Sequence, residues 1–198
     1  MAGETPRLIT LAAARRALRD HRPEPVDAPE ARPAAVALVL LEDAHGLEAL
    51  FIRRAERADD PWSGQVALPG GRREPADPDL LATAIRETRE ETGVDLTPAE
   101  RLGVLGDLHP RTPTLPPVVV RPFVFALTAR PALVSSVEVQ RAFWLPLERL
   151  SAPGVRREMT LTVGGTVRTF PAYLIDDELI WGMTERILTP FLQLVGLL

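Results

Sequence analysis

The sequence predicts an α+β fold, a mixed β-sheet sandwiched between helices, and three observations carry that prediction. Apolar runs of strand length recur through the chain, most clearly Ala34–Leu41 and Val118–Leu127. Other segments carry helical periodicity, above all the stretch from Leu80 to Thr88 and the C-terminal stretch from Met183. The two kinds of element are mixed without the strict alternation that a doubly wound parallel sheet requires.

In chain order, residues 6–20 are expected to form a helix, with Leu8, Leu11, Ala12 and Leu18 near one face. A Pro-rich connector follows from about His21 to Pro33, so residues 1–33 form an extension ahead of a main domain at 34–198. Ala34–Leu41 and Glu48–Arg53 are strands joined by the turn Asp43-Ala44-His45-Gly46. Arg53–Ser63 is charged and loop-like, and Gln65–Leu68 is a short strand entering Pro69-Gly70-Gly71. The strongest helix signal comes next. Asp77 is a good N-cap, Pro78 fits the first helical position and Asp79 favours the positive end of the helix dipole. Leu80, Leu81, Ala84, Ile85 and Thr88 lie toward one side, and Gly93 suits the residue past the helix end. Strands are expected at Val104–Leu108, Val118–Leu127 and Ala142–Leu145, and a hairpin at Met159–Val163 and Val167–Tyr173 around Gly164-Gly165. A last helix spans roughly Met183 to Leu197, with a kink expected near Pro190. There is no internal repeat.

Composition removes several classes of function. The 198 residues suit one domain with a real core, and 45% hydrophobic with 25% charged residues is ordinary for a globular protein. A net charge of -4 gives no nucleic-acid footprint. All 23 basic residues are Arg, which suits phosphate binding but is better read as the compositional bias of a chain also rich in Ala, Pro and Leu. With no cysteine there is no disulfide, thiolate nucleophile or Cys-ligated zinc, and His21, His45 and His109 lack ligand spacing. A metal would sit on oxygen ligands, which points to hard cations such as Mg²⁺ or Mn²⁺. The N-terminus lacks the apolar core of a signal peptide, and the apolar C-terminal stretch is too short to span a membrane. A cytoplasmic protein without membrane attachment is expected.

The chemistry concentrates on one helix. Residues three and four apart share a helix face, so Glu87, Glu90 and Glu91 project together beside an apolar stripe. Repulsion at that spacing costs a few tenths of a kcal/mol per pair, and a divalent cation reverses its sign. Arg86 and Arg89 partly neutralise the cluster, and Arg86 reaches Glu90 at i+4. Taken alone, such a stretch is ordinarily a solvated acidic face. Context alters that reading, because a strand ending in Gly70-Gly71 precedes it and lets the backbone approach a ligand closely.

Gly71 followed by Arg86-Glu87-Thr88-Arg89-Glu90-Glu91-Thr92-Gly93-Val94 resembles the Nudix box, G-x5-E-x7-R-E-U-x-E-E-x-G-U with U aliphatic. Three departures stand out. Thr88 replaces an aliphatic residue, the stretch from Gly71 to Arg86 is one residue longer, and the internal acid is Asp77 or Asp79 rather than Glu, with Asp77 read as mainly a helix cap. The resemblance implies a Nudix α/β/α sandwich that hydrolyses a nucleoside diphosphate linked to another group. It also implies Glu87 and Glu91 as principal metal ligands, Glu90 as a third, a contribution from the Gly70 carbonyl, and Arg86 orienting the carboxylates.

A second resemblance, to the coenzyme A pyrophosphatase subgroup, rests on Leu50-Phe51-Ile52-Arg53-Arg54-Ala55, on Gly64-Gln65-Val66-Ala67-Leu68-Pro69-Gly70-Gly71, on the lengthened box with Pro75 and Asp77, and on Ile180-Trp181-Gly182-Met183-Thr184. It departs where the subgroup places an Arg and this chain has Asp59, for which Arg57 is a substitute. The products from CoA would be 3′,5′-ADP and 4′-phosphopantetheine. Glu138, in the loop before the strand that holds Phe143, is the candidate general base, with a surface carboxylate as the equal alternative. Arg53, Arg54, Arg57, Arg72, Arg73 and the Gly71 backbone are candidates for phosphate contacts, and Trp62 and Phe143 for an adenine pocket, although Phe143 reads better as core. The alternatives are a Nudix pyrophosphatase of ADP-ribose, NADH, a dinucleoside polyphosphate or a modified NTP, or a non-catalytic binding module, against which the three retained glutamates argue. The apolar tail helix could support a homodimer.

Overall fold

Strand β1 (Arg32–Asp43) occupies the middle of the main sheet because its aliphatic run can be buried on both faces. The computed structural model describes residues 9–23, 25–44, 46–56, 63–110, 117–163 and 165–198. On one edge β1 pairs in parallel with β6 (Val118–Leu127), from Arg32↔Val118 to Leu41↔Leu127. On the other, its second half pairs antiparallel with β2 (Gly46–Arg54), and its first half with β4 (Gly70–Arg72). Strands β3 (Val66–Ala67), β5 (Glu100–Val104) and β7 (Val139–Pro146) complete a seven-stranded mixed sheet. A separate antiparallel sheet holds β8 (Arg156–Val163), β9 (Thr166–Ile175) and β10 (Glu178–Trp181). The expected α+β sandwich with a mixed sheet is the observed fold.

The period-two alternation of β1 divides the core. Ala35, Ala37 and Val39 face helix α2 (Leu80–Thr92), with Ala84, Phe123 and Phe125. Leu38 and Leu40 face the other way, into a cluster with Leu11, Ala14 and Leu18 of α1 (Leu11–Arg19) and Ile187, Leu188, Phe191 and Leu192 of α3 (Gly182–Leu194). The apolar face of the C-terminal helix is thus buried within the chain's own core, and the helix runs through Pro190 as one element. No described helix is long and apolar enough to cross a membrane.

Three differences from expectation have physical causes. Helix α1 begins at Leu11, where the Thr10 side chain accepts from the Ala13 amide at 3.2 Å and fixes the start. The strand expected at Val104–Leu108 instead ends at Val104. Leu105 donates to the Pro122 carbonyl, but Pro122 has no N–H to return, so regular pairing stops and Leu108 makes only an isolated bridge to Val120. Strand β10 carries no turn signal of its own. It is fixed by pairing with β9 and by Glu178, whose buried carboxylate accepts from Arg53 of β2 and Arg141 of β7 and so joins the two sheets.

Candidate active site

Helix α2 brings the acidic cluster to the sheet, and its caps differ from the expected ones. Asp79, not Asp77, is the N-cap, with its side chain accepting from Ala82 N at 2.8 Å, and Gly93 ends the helix in the left-handed conformation at φ 74°. Either aspartate satisfies the capping pattern in sequence, and burial separates them. Asp77 is 5% exposed. It accepts from Glu74 N at 2.9 Å, from the Thr83 hydroxyl at 2.9 Å, and from Arg86 through Nε at 3.0 Å and Nη2 at 2.9 Å. Those bonds, Arg86 first among them, hold its carboxyl well below the ordinary 3.8. Thr88, the unusual residue of the box, is fully buried. Its hydroxyl donates to Ala84 O at 2.7 Å, which leaves its methyl for the core.

Arg86 organises the carboxylates. Besides Asp77 it donates from Nη1 to Glu87 at 2.9 Å and Glu90 at 3.1 Å, and from Nη2 to the Arg72 carbonyl at 3.2 Å. Glu87 and Glu91 are one turn apart and both face a cavity of about 480 Å³. Glu90 is turned about 100° away on the helix. It is largely exposed and borders a different, more open recess with Arg86 and Arg89. Glu91 is 4% exposed and accepts from Gly70 N at 2.9 Å. Burial pushes its carboxyl up to about 8, against the opposing pull of that amide, and the neighbouring Glu87 adds to the rise. Burial likewise raises Glu87, opposed by Arg86.

The cavity lies between the sheet and α3. Ala34 and Val36 of β1 and Val118 and Val120 of β6 line it from the sheet, and Met183, Thr184 and Ile187 line it from α3. Thr184 donates to Val66 O at 3.1 Å and ties that helix to β3. Arg54, Gln65, Arg72, Gly70, Gly71 and Glu138 complete the polar part. Glu138 stands in the loop before β7, as expected, and its charge adds to the rise at Glu91. Two other expected phosphate contacts are committed elsewhere: Arg53 holds Glu178 at 2.8 Å, and Arg73 holds the Asp77 and Pro78 carbonyls at 3.0 and 2.9 Å. Phe143 stacks near Phe51 at 6.0 Å between ring centroids, beneath Arg141. Arg57, Asp59 and Trp62 lie outside the described residues. The α3 contribution was visible in sequence only through Gly182-Met183-Thr184. The wall formed by Val118 and Val120 gave no signal, since apolar strand residues read as core.

The donor set fits a divalent cation. Two carboxylates whose charged forms are disfavoured by burial point into one cavity, and a cation there would restore them to the charged state. Among the described residues no three His, Asp or Glu side chains close into a cage, and Glu90, which accepts from Arg86, borders the other recess. A pair of carboxylates, with places left for carbonyl, water and phosphate oxygens, is the usual arrangement for Mg²⁺.

The two glycines have different duties. A Cβ on Gly70, at φ 153°, would lie 2.6 Å from Val36 Cα, so the backbone itself requires glycine. At Gly71, paired with Ala35 on the face toward α2, a Cβ would lie 2.5 Å from Cδ of Glu87. Only a flexible carboxylate must move there. Gly71→Ala is therefore expected to keep its melting temperature within about 3 °C while kcat falls about tenfold, as when a metal ligand is displaced from its orientation. Thermal denaturation beside steady-state kinetics checks both halves, and an unchanged kcat removes Glu87 from the chemistry.

Known proteins resemble this chain over most of its length. The NUDIX domain family matches residues 31–162. The human protein "Mitochondrial coenzyme A diphosphatase NUDT8" is 36% identical over 170 residues, which cover 84% of this chain and 71% of that protein. Its mouse counterpart is 33% identical over 169 residues, 83% of this chain and 80% of that one. Among solved structures, a MutT/nudix family protein from Enterococcus faecalis shares the fold with a TM-score of 0.56 at 22% identity, covering 90% of this chain and 71% of that one.

Proposed function

Because the chain belongs to the Nudix family and is a Nudix pyrophosphohydrolase, we propose that it hydrolyses the pyrophosphate linkage of coenzyme A or a CoA derivative, giving 3′,5′-ADP and 4′-phosphopantetheine. The observation that carries the site assignment is the pair of buried carboxylates, Glu87 and Glu91, facing one cavity beside Gly70-Gly71. The choice of CoA is supported by the likeness to proteins named coenzyme A diphosphatases across most of both chains.

Nudix hydrolases generally work with divalent metals. Glu87 and Glu91, with the Gly70 carbonyl and with Glu90 once Arg86 releases it, would hold Mg²⁺ or Mn²⁺, which supplies charge neutralisation of the diphosphate and a lower pKa for the attacking water. Arg86 orients the carboxylates through its fork, itself locked by Asp77. Arg54, Arg72 and the Gly71 backbone bind phosphate oxygens, where a planar guanidinium can make paired hydrogen bonds. Glu138 accepts the proton of the attacking water as it closes in line on phosphorus. The small side chains Ala34 and Ala67 leave room for the nucleoside.

The purified protein offered CoA, ADP-ribose, NADH and a dinucleoside polyphosphate with Mn²⁺ is expected to prefer CoA. Excess EDTA is expected to abolish turnover, and Mg²⁺ or Mn²⁺ to restore it. Product chromatography decides the matter: cleavage of ADP-ribose or NADH with CoA left intact defeats the substrate assignment, and full activity in EDTA defeats the metal assignment.

A further inference from the structure

The cavity holds a second cationic element, away from the carboxylates, that the box does not account for. Strand β1 begins at Arg32, two residues before the expected start. Side chains alternate along a strand, so Arg32 shares its face with Ala34 and Val36, and all three line the cavity. In the antiparallel register Ala34 pairs with Arg72 of β4, and paired residues share a face. Arg32 and Arg72 are therefore diagonal neighbours on one face, with Cα atoms roughly 7–8 Å apart, and both line the same cavity.

Two guanidinium groups at that spacing repel unless an anion lies between them. Among the described residues neither side chain has a hydrogen bond or ion pair. Glu74, which also lines the cavity, is turned to Arg86 at 3.9 Å. The main chain of this corner is fixed. Arg32 N donates to Pro117 O at 2.9 Å, and the Arg72 carbonyl accepts from Arg86, the residue that orders the acidic cluster. The main chain that roots the cationic pair is thus in register with the residue that holds Glu91. Gly70, which donates to Glu91, pairs with Val36, and Arg72 pairs with Ala34. Two residues of strand separate those positions, about 7 Å. A phosphate on the 2′ or 3′ oxygen of a ribose likewise stands several ångströms from the 5′-linked diphosphate, within reach of an arginine side chain rooted at that position.

We propose that Arg32 and Arg72 form a second anion subsite that selects substrates carrying a phosphate monoester on the nucleoside ribose. The inference rests on the pyrophosphohydrolase reading of this cavity and extends it to a specificity-determining residue, Arg32, outside the box. The site makes contact with the phosphate dianion, not with the leaving half of the substrate, so it acts on binding rather than on the reacting phosphorus.

The test compares substrates that differ only in that phosphate, for the wild type and for Arg32→Gln and Arg72→Gln. The KM for CoA is expected to lie about tenfold below that for 3′-dephospho-CoA, the worth of one charge-assisted hydrogen bond, and Arg32→Gln is expected to bring the ratio toward one. Calorimetry on the metal-free full chain gives a readout independent of turnover: Arg32→Gln should weaken 3′,5′-ADP about tenfold more than it weakens 5′-AMP. If CoA is not a substrate, NADPH against NADH or the two calorimetric ligands judge the subsite alone, so the CoA assignment can fail without it. A wild-type ratio near one, a ratio that survives both substitutions, or a loss confined to dinucleoside polyphosphates would overturn the subsite.

Discussion

Glu91→Gln is expected to leave the fold standing while kcat falls at least about 100-fold, more than the loss of a mere supporting contact around a metal site. The physical case rests on where the carboxylate lies. Glu91 is buried, and burial lifts its carboxyl to about 8, so in the metal-free protein the side chain is largely neutral at pH 7. Glutamine is a neutral isostere whose oxygen can keep the Gly70 amide bond, so stability below pH 4.5 should change by less than about 1 kcal/mol, and the metal-free variant should become the more stable of the two as pH rises toward 8. What glutamine cannot do is become an anion for a cation. The sign of the pH dependence follows. The folded-state value is raised above the ordinary 4.5, so this group's contribution is fully present below pH 4.5 and is lost as pH rises toward 8. Metal-free wild type should therefore melt at falling temperature between pH 5 and 8, and Glu91→Gln should flatten that slope. A variant with near-wild-type turnover in Mg²⁺ or Mn²⁺, or an unchanged slope, sinks the assignment.

The parts of this site that were legible in sequence were those whose chemistry is local. The i, i+4 spacing of Glu87 and Glu91 places both on one helix face in any helix, and Gly70-Gly71 announced a close approach that the missing Cβ at position 71 then explained. What was hidden depends on packing. Glu90 lies about 100° round the helix from Glu91 and borders another recess, and which of the two helix faces meets the cavity is set by how α2 packs on the sheet, which spacing alone does not give. Ala34, Val36, Val118 and Val120 read as core because apolar strand residues look alike whether they meet a helix or a ligand. Arg32 was read as the end of a connector, since its role appears only when the parallel register with β6 carries β1 two residues back. In the same way the ladder break at Pro122, which ended β5 early, follows from a pairing partner far along the chain.

Asp77 is the sharpest of these cases, and it carries the largest expected effect on stability. Two aspartates flank Pro78, and only one can cap α2. Asp79 does so, which frees Asp77 to turn inward and clamp Arg86 through two bonds while holding Glu74 N and the Thr83 hydroxyl. Asp77→Ala leaves two of those donors, Glu74 N and Arg86 Nε, without an acceptor, while the Thr83 hydroxyl keeps the Asp79 carbonyl and Arg86 Nη2 keeps the Arg72 carbonyl. Breaking a buried pair costs about 3–5 kcal/mol. Arg86 is about one-fifth exposed and keeps Glu87 and Glu90, so the expected loss is near 2–3 kcal/mol, or about 5–10 °C in melting temperature for a chain of this size. Here the linkage runs opposite to that of Glu91. The folded-state value is depressed, so the stabilisation is present above the ordinary 3.8 and is lost as pH falls below it. Wild type should lose stability steeply below about pH 4, and Asp77→Ala should lack that component of the acid limb. Asp79→Ala, which removes only a cap, should cost about 1 kcal/mol and leave the acid limb as it was. Equal losses in the two variants, or a steep acid limb that persists in Asp77→Ala, would return Asp77 to the role of a simple cap and leave Arg86 without its anchor.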